Sequence, residues 1–250
     1  MGTGHSGGVS AVKESLADAF ARLERAKEHI DNLEREIYVV GSSPLIRDAY
    51  LQWASPVGTG IFVNLAQDPP IVRLPRRIGV LVGETVYNLR AALDYLAFQL
   101  AVLDSSQIRK GTQFPIESSQ DDWQRIINPP PKWRSPKRFW LGGIRPEHRK
   151  AIGIFQPCNE CRWTEVLAAL SNPDKHRTIH AVFGSGPLVE VSSISADADP
   201  GKYTNVSLHV PLDVAFDDGS LVEETLRMLD SEVGSTLDHF KPCFDGQCKH

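Results

Sequence analysis

The sequence predicts an α+β fold, with a helical core around one long central helix at about 76–103, a β-hairpin before it, and a C-terminal antiparallel β region closed by a last helix. Three observations carry this. Ile78, Leu81, Val82, Val86, Leu89, Leu93, Leu96 and Leu100 fall on one helical face, with no proline in the run. From about residue 178 the apolar period changes from helical to two. Helices and strands come in groups rather than as alternating β-α-β units.

The elements follow in order. Residues 1–10 are rich in Gly and Ser, lack an apolar secretory core, and are expected to be disordered. One α+β domain is expected over 11–250, helical to about 177 and strand-plus-helix over about 178–242. Residues 11–38 repeat apolar positions at three- and four-residue steps from Val12 to Ile37, with Ser10 placed to cap the start. Gly41 to Pro44 ends that helix, and 44–53 has weaker helical spacing. Residues 60–66 and 71–74 are rich in β-branched residues around Gln67-Asp68-Pro69-Pro70, the pattern of a hairpin. Prolines 115, 129–131, 136 and 146 predict loops over 104–150, followed by short helices at 146–154 and 161–171. Strands are expected at 178–183, 188–193 and 205–210, the first two joined by a turn at Gly184-Ser185-Gly186-Pro187. Leu221, Val222, Leu226, Leu229, Val233 and Leu237 predict the closing helix over 219–240.

Composition narrows the function classes. The hydrophobic fraction of 41% and charged fraction of 23% are ordinary for a folded domain. A formal net charge of −4 argues against a whole-molecule field that gathers nucleic acid or anionic lipid. No apolar run approaches the roughly 18–20 residues needed to cross a bilayer, and a cytoplasmic location is expected. P-loop, G-x-G-x-x-G, G-x-S-x-G and H-E-x-x-H signatures are absent.

Four groups of residues carry potential chemistry. On the long helix, Asn88 and Tyr95 flank the apolar stripe on one side and Arg90 and Asp94 on the other, the latter pair at ion-pair spacing. Asn172-Pro173-Asp174-Lys175-His176-Arg177 places four ionisable groups side by side before a strand. There His176 has the chemistry of a general acid or base, while Lys175 and Arg177 have that of phosphate binders. Cys158-x-x-Cys161 with Cys243 and Cys248 supplies four thiols, which leaves a structural zinc site open beside free thiols or a disulfide. Residues 132–140 interleave Lys and Arg with Trp133, Phe139 and Trp140. Such a tract either grips single-stranded nucleic acid or is a surface loop pinned by its aromatics, and the second is favoured. Polar groups beside a buried stripe need partners. Asn88, Arg90 and Asp94 are therefore expected to face the 172–177 turn.

Three segments, Asn88-Leu-Arg-Ala-Ala-Leu-Asp-Tyr-Leu96, Gln113-Phe-Pro-Ile116 and Leu170-Ser-Asn-Pro-Asp-Lys-His-Arg177, resemble an uncharacterised bacterial protein family with an "NLRxALDxL … FPI … NxDKHR" pattern. The resemblance covers roughly 76–180 and implies no activity. A more distant similarity is to the HEPN superfamily of helical ribonucleases and nucleotide-binding domains, whose motif is Arg, four to six residues, then His. Tyr95 stands where that pattern has His after Arg90. The similarity implies a metal-independent ribonuclease or RNA-binding protein of a defence or stress system, using Arg90, His176 and Arg177. The residues themselves favour a binding or interaction module, with Asn88, Asp94, Tyr95, Asn172, Asp174 and Lys175 forming a structural polar centre. Its partner would be RNA or a protein, and a homodimer stays open.

Overall fold

The computed structural model describes residues 15–46, 51–57, 60–65, 72–107, 111–129, 140–171, 179–183, 190–196, 203–209 and 212–247. The chain is α+β, with helices α1 (Ala17–Gly41), α2 (Arg76–Ser105), α3 (Gln120–Ile127), α4 (Pro146–Gly153), α5 (Arg162–Ser171) and α6 (Val222–Phe244). The strands are β1 (Leu51–Val57), β2 (Gly60–Leu65), β3 (Ile179–Phe183), β4 (Glu190–Ala196), β5 (Tyr203–His209) and β6 (Leu212–Phe216). Two compact units result. The first comprises Met1–Arg22, Ala91–Glu165 and Val233–His250, and the second Leu23–Arg90 and Val166–Glu232.

The long helix is as its stripe predicts. Every stripe residue from Ile78 to Leu100 is buried, and the helix is 30 residues long, about 45 Å at 1.5 Å per residue. Helix α1 buries Ala19, Leu23, Ala26, Ile30, Leu33 and Ile37 at the expected steps. It begins at Ala17 rather than near 11, where the Ser15 hydroxyl accepts the Ala17 N–H, the role expected of Ser10. Helix α6 buries Val222, Leu226, Leu229, Val233, Leu237 and Phe240.

Helix α3 lies inside the stretch read as loops. Its Ser119 cap accepts the Asp122 N–H, Asp121 and Asp122 complement the helix N-terminus, and Trp123 is buried. The neighbouring prolines bound this helix without entering it.

Strand pairing differs from expectation in two places. Strand β2 pairs with the preceding β1, from Val57↔Gly60 to Leu51↔Leu65, so 51–53 is strand rather than helix and 72–75 is irregular. In the C-terminal region β3 pairs with β6, Ile179 opposite Phe216 and Phe183 opposite Leu212. Strands β4 and β5 pair with each other, Glu190 opposite His209. The two antiparallel ladders are therefore nested, with β4–β5 as the inner hairpin and β3–β6 as its stem. The expected turn at 184–187 between β3 and β4 falls outside the described residues.

Each unit has its own buried set. In the first, Leu93, Leu96 and Leu100 of α2 are buried with Phe114, Trp123, Leu141, Ile152 and Phe240. In the second, Leu23, Ile30 and Leu33 of α1 are buried with Ile78, Leu81 and Leu89 of α2, Phe216 of β6 and Leu226 of α6. Gly79 lies against β3, where an added Cβ would make ordinary contact with Ile179 at 3.8 Å.

Candidate functional site: a polar framework and a cleft in the first unit

Two of the three familiar segments are joined by one hydrogen bond. The Asp94 carboxylate accepts the Phe114 N–H at 2.9 Å. Phe114 begins the Phe-Pro-Ile run and is itself fully buried, so its backbone donor needs an acceptor inside the protein. Helix α2 supplies one from its side. The next residues are held from the opposite direction. Fully buried Gln156 accepts the Glu117 N–H through Oε1 and donates through Nε2 to the Ile152 carbonyl. Cys158 N–H donates to the Glu117 carbonyl. Irregular chain over 113–117 is thus tied by side chains where no ladder supplies partners. Burial, reinforced by nearby Asp122, pushes the Glu117 carboxyl above the usual carboxylate range.

A second buried network lies at the end of α2. His148 of α4 is fully buried, and its Nδ1 is 2.8 Å from Oδ2 of Asp104, a side chain only 3% exposed. The same carboxylate oxygen accepts the Arg145 N–H at 2.8 Å. Arg145 Nη2 lies 2.7 Å from His148 Nε2. A guanidinium only donates, so Nε2 accepts and Nδ1–H donates to Asp104, the pattern of a neutral imidazole. Both ring nitrogens are occupied, and the Phe240 ring packs edge-on at 6.4 Å between centroids. The group fixes the N-terminus of α4 to the C-terminal end of α2. Neither Asp104 nor His148 stands out in the sequence, because they lie 44 positions apart.

Beside this framework, α3, α4 and His239 line an open cleft of about 950 Å³. Trp123, Ile127 and Ile154 supply apolar wall, and Arg149, Lys150, Glu147 and several carboxamides supply polar groups. Arg149 is held in place by donating through Nε to the Ile144 carbonyl at 2.7 Å and through Nη1 to the Ile127 carbonyl at 3.1 Å.

The remaining sequence-selected residues are placed as follows. Asn88 is buried in the second unit and donates through Nδ2 to the Glu84 carbonyl of its own helix. Arg90 is half-buried. Tyr95 lies under the Arg22 guanidinium, 5.6 Å from its ring centroid. Asn172, Asp174, Lys175, His176 and Arg177 lie outside the described residues, as does the expected contact of Asn88, Arg90 and Asp94 with them. So do 132–139 of the basic aromatic tract; Trp140 at its end accepts the Gln113 N–H through its carbonyl. The four-thiolate zinc set is not formed, because Cys243 is disulfide-bonded and so offers no thiolate. Cys158 and Cys161 are free thiols, and burial pushes the Cys158 thiol up. Cys248 is outside the described residues. Among the described residues no three His, Cys, Asp or Glu side chains are grouped to hold a metal ion. Among them, too, no helix is long and apolar enough to cross a membrane.

The second unit carries its charges differently. Arg227 of α6 pairs with Glu34 of α1, with Asp31 and Glu223 each 3.7 Å away; Glu34 is 29% exposed and the other three side chains are about half exposed or more. Burial and the neighbouring Glu34 push the Glu223 carboxyl up, against the opposing pull of Arg227. His29 is buried with Nδ1 3.4 Å from Glu84 Oε2, but without hydrogen-bond geometry.

Comparison with protein-family models, with curated proteins and with solved structures finds no match to this chain.

Proposed function

We propose that this chain is a binding or interaction module whose conspicuous polar residues hold the fold. The observation that carries this reading is the Asp94–Phe114 hydrogen bond. It gives the acidic residue of the first familiar segment a backbone partner in the second, and so a structural role for both. His148 supports the same reading. Its ring is fully buried, with both nitrogens within hydrogen-bond distance of Asp104 and Arg145, which gives it a role in holding α4. The Arg22–Tyr95 contact likewise gives Tyr95 a packing role. The partner in this reading is a ligand or protein bound at the surface.

The test sets this against metal-independent RNA cleavage. A fluorophore-quencher RNA oligonucleotide is incubated with the full chain in chelator, alongside Arg90→Ala and His176→Ala. The module reading expects no cleavage above buffer from any of the three. Cleavage by the wild type that both substitutions abolish, with unchanged melting temperatures, overturns it in favour of a ribonuclease centred on Arg90, His176 and Arg177.

A further inference from the structure

We propose that the cleft between α3 and α4 binds a small organic anion with an aromatic or aliphatic body. The proposal rests on the binding-module reading and names the ligand class for it. The volume of about 950 Å³ lies in the range that encloses a small molecule. Its apolar wall is firm. Trp123 is only 3% exposed, and its indole lies so close to Gly153 that a Cβ there would meet Cζ2 at 3.1 Å. A glycine at 153 is what lets the indole lie against α4. Ile154, on the same wall, is 59% exposed, a large apolar side chain left uncovered beside the cavity. An apolar ligand body resting there would remove that surface from water.

The charge of the cleft selects the rest of the ligand. Arg149 and Lys150 line it against a single carboxylate, Glu147. The chain as a whole has a net charge of −4, so this excess of cationic groups is local. Arg149 is fixed by its two carbonyl acceptors, which places its charge in advance of binding. Lys150 is exposed at the rim, where a flexible ammonium can reach an anionic group. A long nucleic acid strand would instead call for a basic track with stacked aromatics. A single buried indole on the wall of a short open cleft suits a single small anion.

The probe is 8-anilinonaphthalene-1-sulfonate, titrated into the full chain and followed by its own fluorescence and by energy transfer from tryptophan. N-phenyl-1-naphthylamine, which has the same ring system without the sulfonate, is titrated in parallel. The expected result is saturable one-to-one binding of the anion. Lys150→Glu should weaken it by about three- to tenfold, the effect of reversing one exposed charge. Lys150→Glu should leave the neutral probe unchanged, and Ile154→Asp should weaken both. Lys27→Glu, the same charge change in the other unit, should alter neither. No saturable binding by the wild type, or equal affinity in wild type, Lys150→Glu and Ile154→Asp, overturns the proposal. Either result leaves the RNA-cleavage test of the module reading untouched, so the two ideas fail separately.

Discussion

The two units satisfy their polar groups in opposite ways. In the first, buried side chains reach across the sequence to backbone and to one another: Asp94 to Phe114, Gln156 to Glu117, Asp104 to His148 and Arg145. In the second, nested antiparallel ladders pair the strands, and the charged groups around Arg227 stand at the surface. The difference follows from regularity. A strand finds its backbone partners in its neighbour, whereas irregular chain such as 113–117 finds them one at a time, in the side chains of Asp94 and Gln156 and in the isolated backbone groups of Trp140 and Cys158. Buried hydrogen bonds that replace a ladder are costly to break, and exposed ion pairs are not.

The largest expected effect comes from His148→Ala in the first unit. It removes a buried ring and leaves the Asp104 carboxylate, 3% exposed, without that donor. The expected loss is about 3 kcal/mol by denaturant unfolding. Asp94→Ala should cost about 1–3 kcal/mol, because the buried Phe114 donor loses its acceptor.

Glu117→Gln sharpens the comparison through pH. The folded carboxyl titrates above its unfolded value, so the unfolded state releases its proton first. Stability from this group is present below the unfolded pKa and is lost as pH rises through the raised folded one. The substitution should therefore raise the melting temperature at pH 7, with the gain shrinking toward pH 4. A gain independent of pH would show that charge burial is not the cause.

The smallest effect is expected in the second unit. Arg227→Ala should cost no more than about 1 kcal/mol, because the arginine is about half exposed and none of its partners is buried. The cost should fall further at high salt. A loss as large as that of Asp94→Ala would erase the contrast between the units.

What the sequence made legible follows the same divide. The stripe from Ile78 to Leu100 and the one from Val222 to Leu237 were readable because helical burial repeats every three or four residues. Strand β1 was not, because Leu51-Gln-Trp-Ala-Ser-Pro-Val57 has no clean alternation, and Pro56 argues against a strand. The partner of β3 was missed because β6 was not among the expected strands and strand pairing is non-local, so the nearest strand in sequence was only the default choice. Helix α3 did carry a local signal, Ser119 three residues before Asp122, which the surrounding prolines obscured. The polar framework left least trace. Asp94 was matched to Lys175, His176 and Arg177 on complementarity, and the partner the structure describes for it is a backbone N–H, which every residue except proline carries. The Cys243 disulfide was open in the sequence as one of three readings of the cysteines. The cleft depended on α3 and could not be read before that helix was found.

The central claim is that Asp94 is a structural strut for the Phe114 segment. Amide hydrogen exchange of Phe114, compared between wild type and Asp94→Asn, tests it most directly, since the substitution keeps shape while weakening the acceptor. Protection at Phe114 is expected to fall by about tenfold or more, the equivalent of a charge-assisted hydrogen bond, while amides of α6 such as Leu226 keep theirs. Unchanged protection at Phe114 in Asp94→Asn would contradict it.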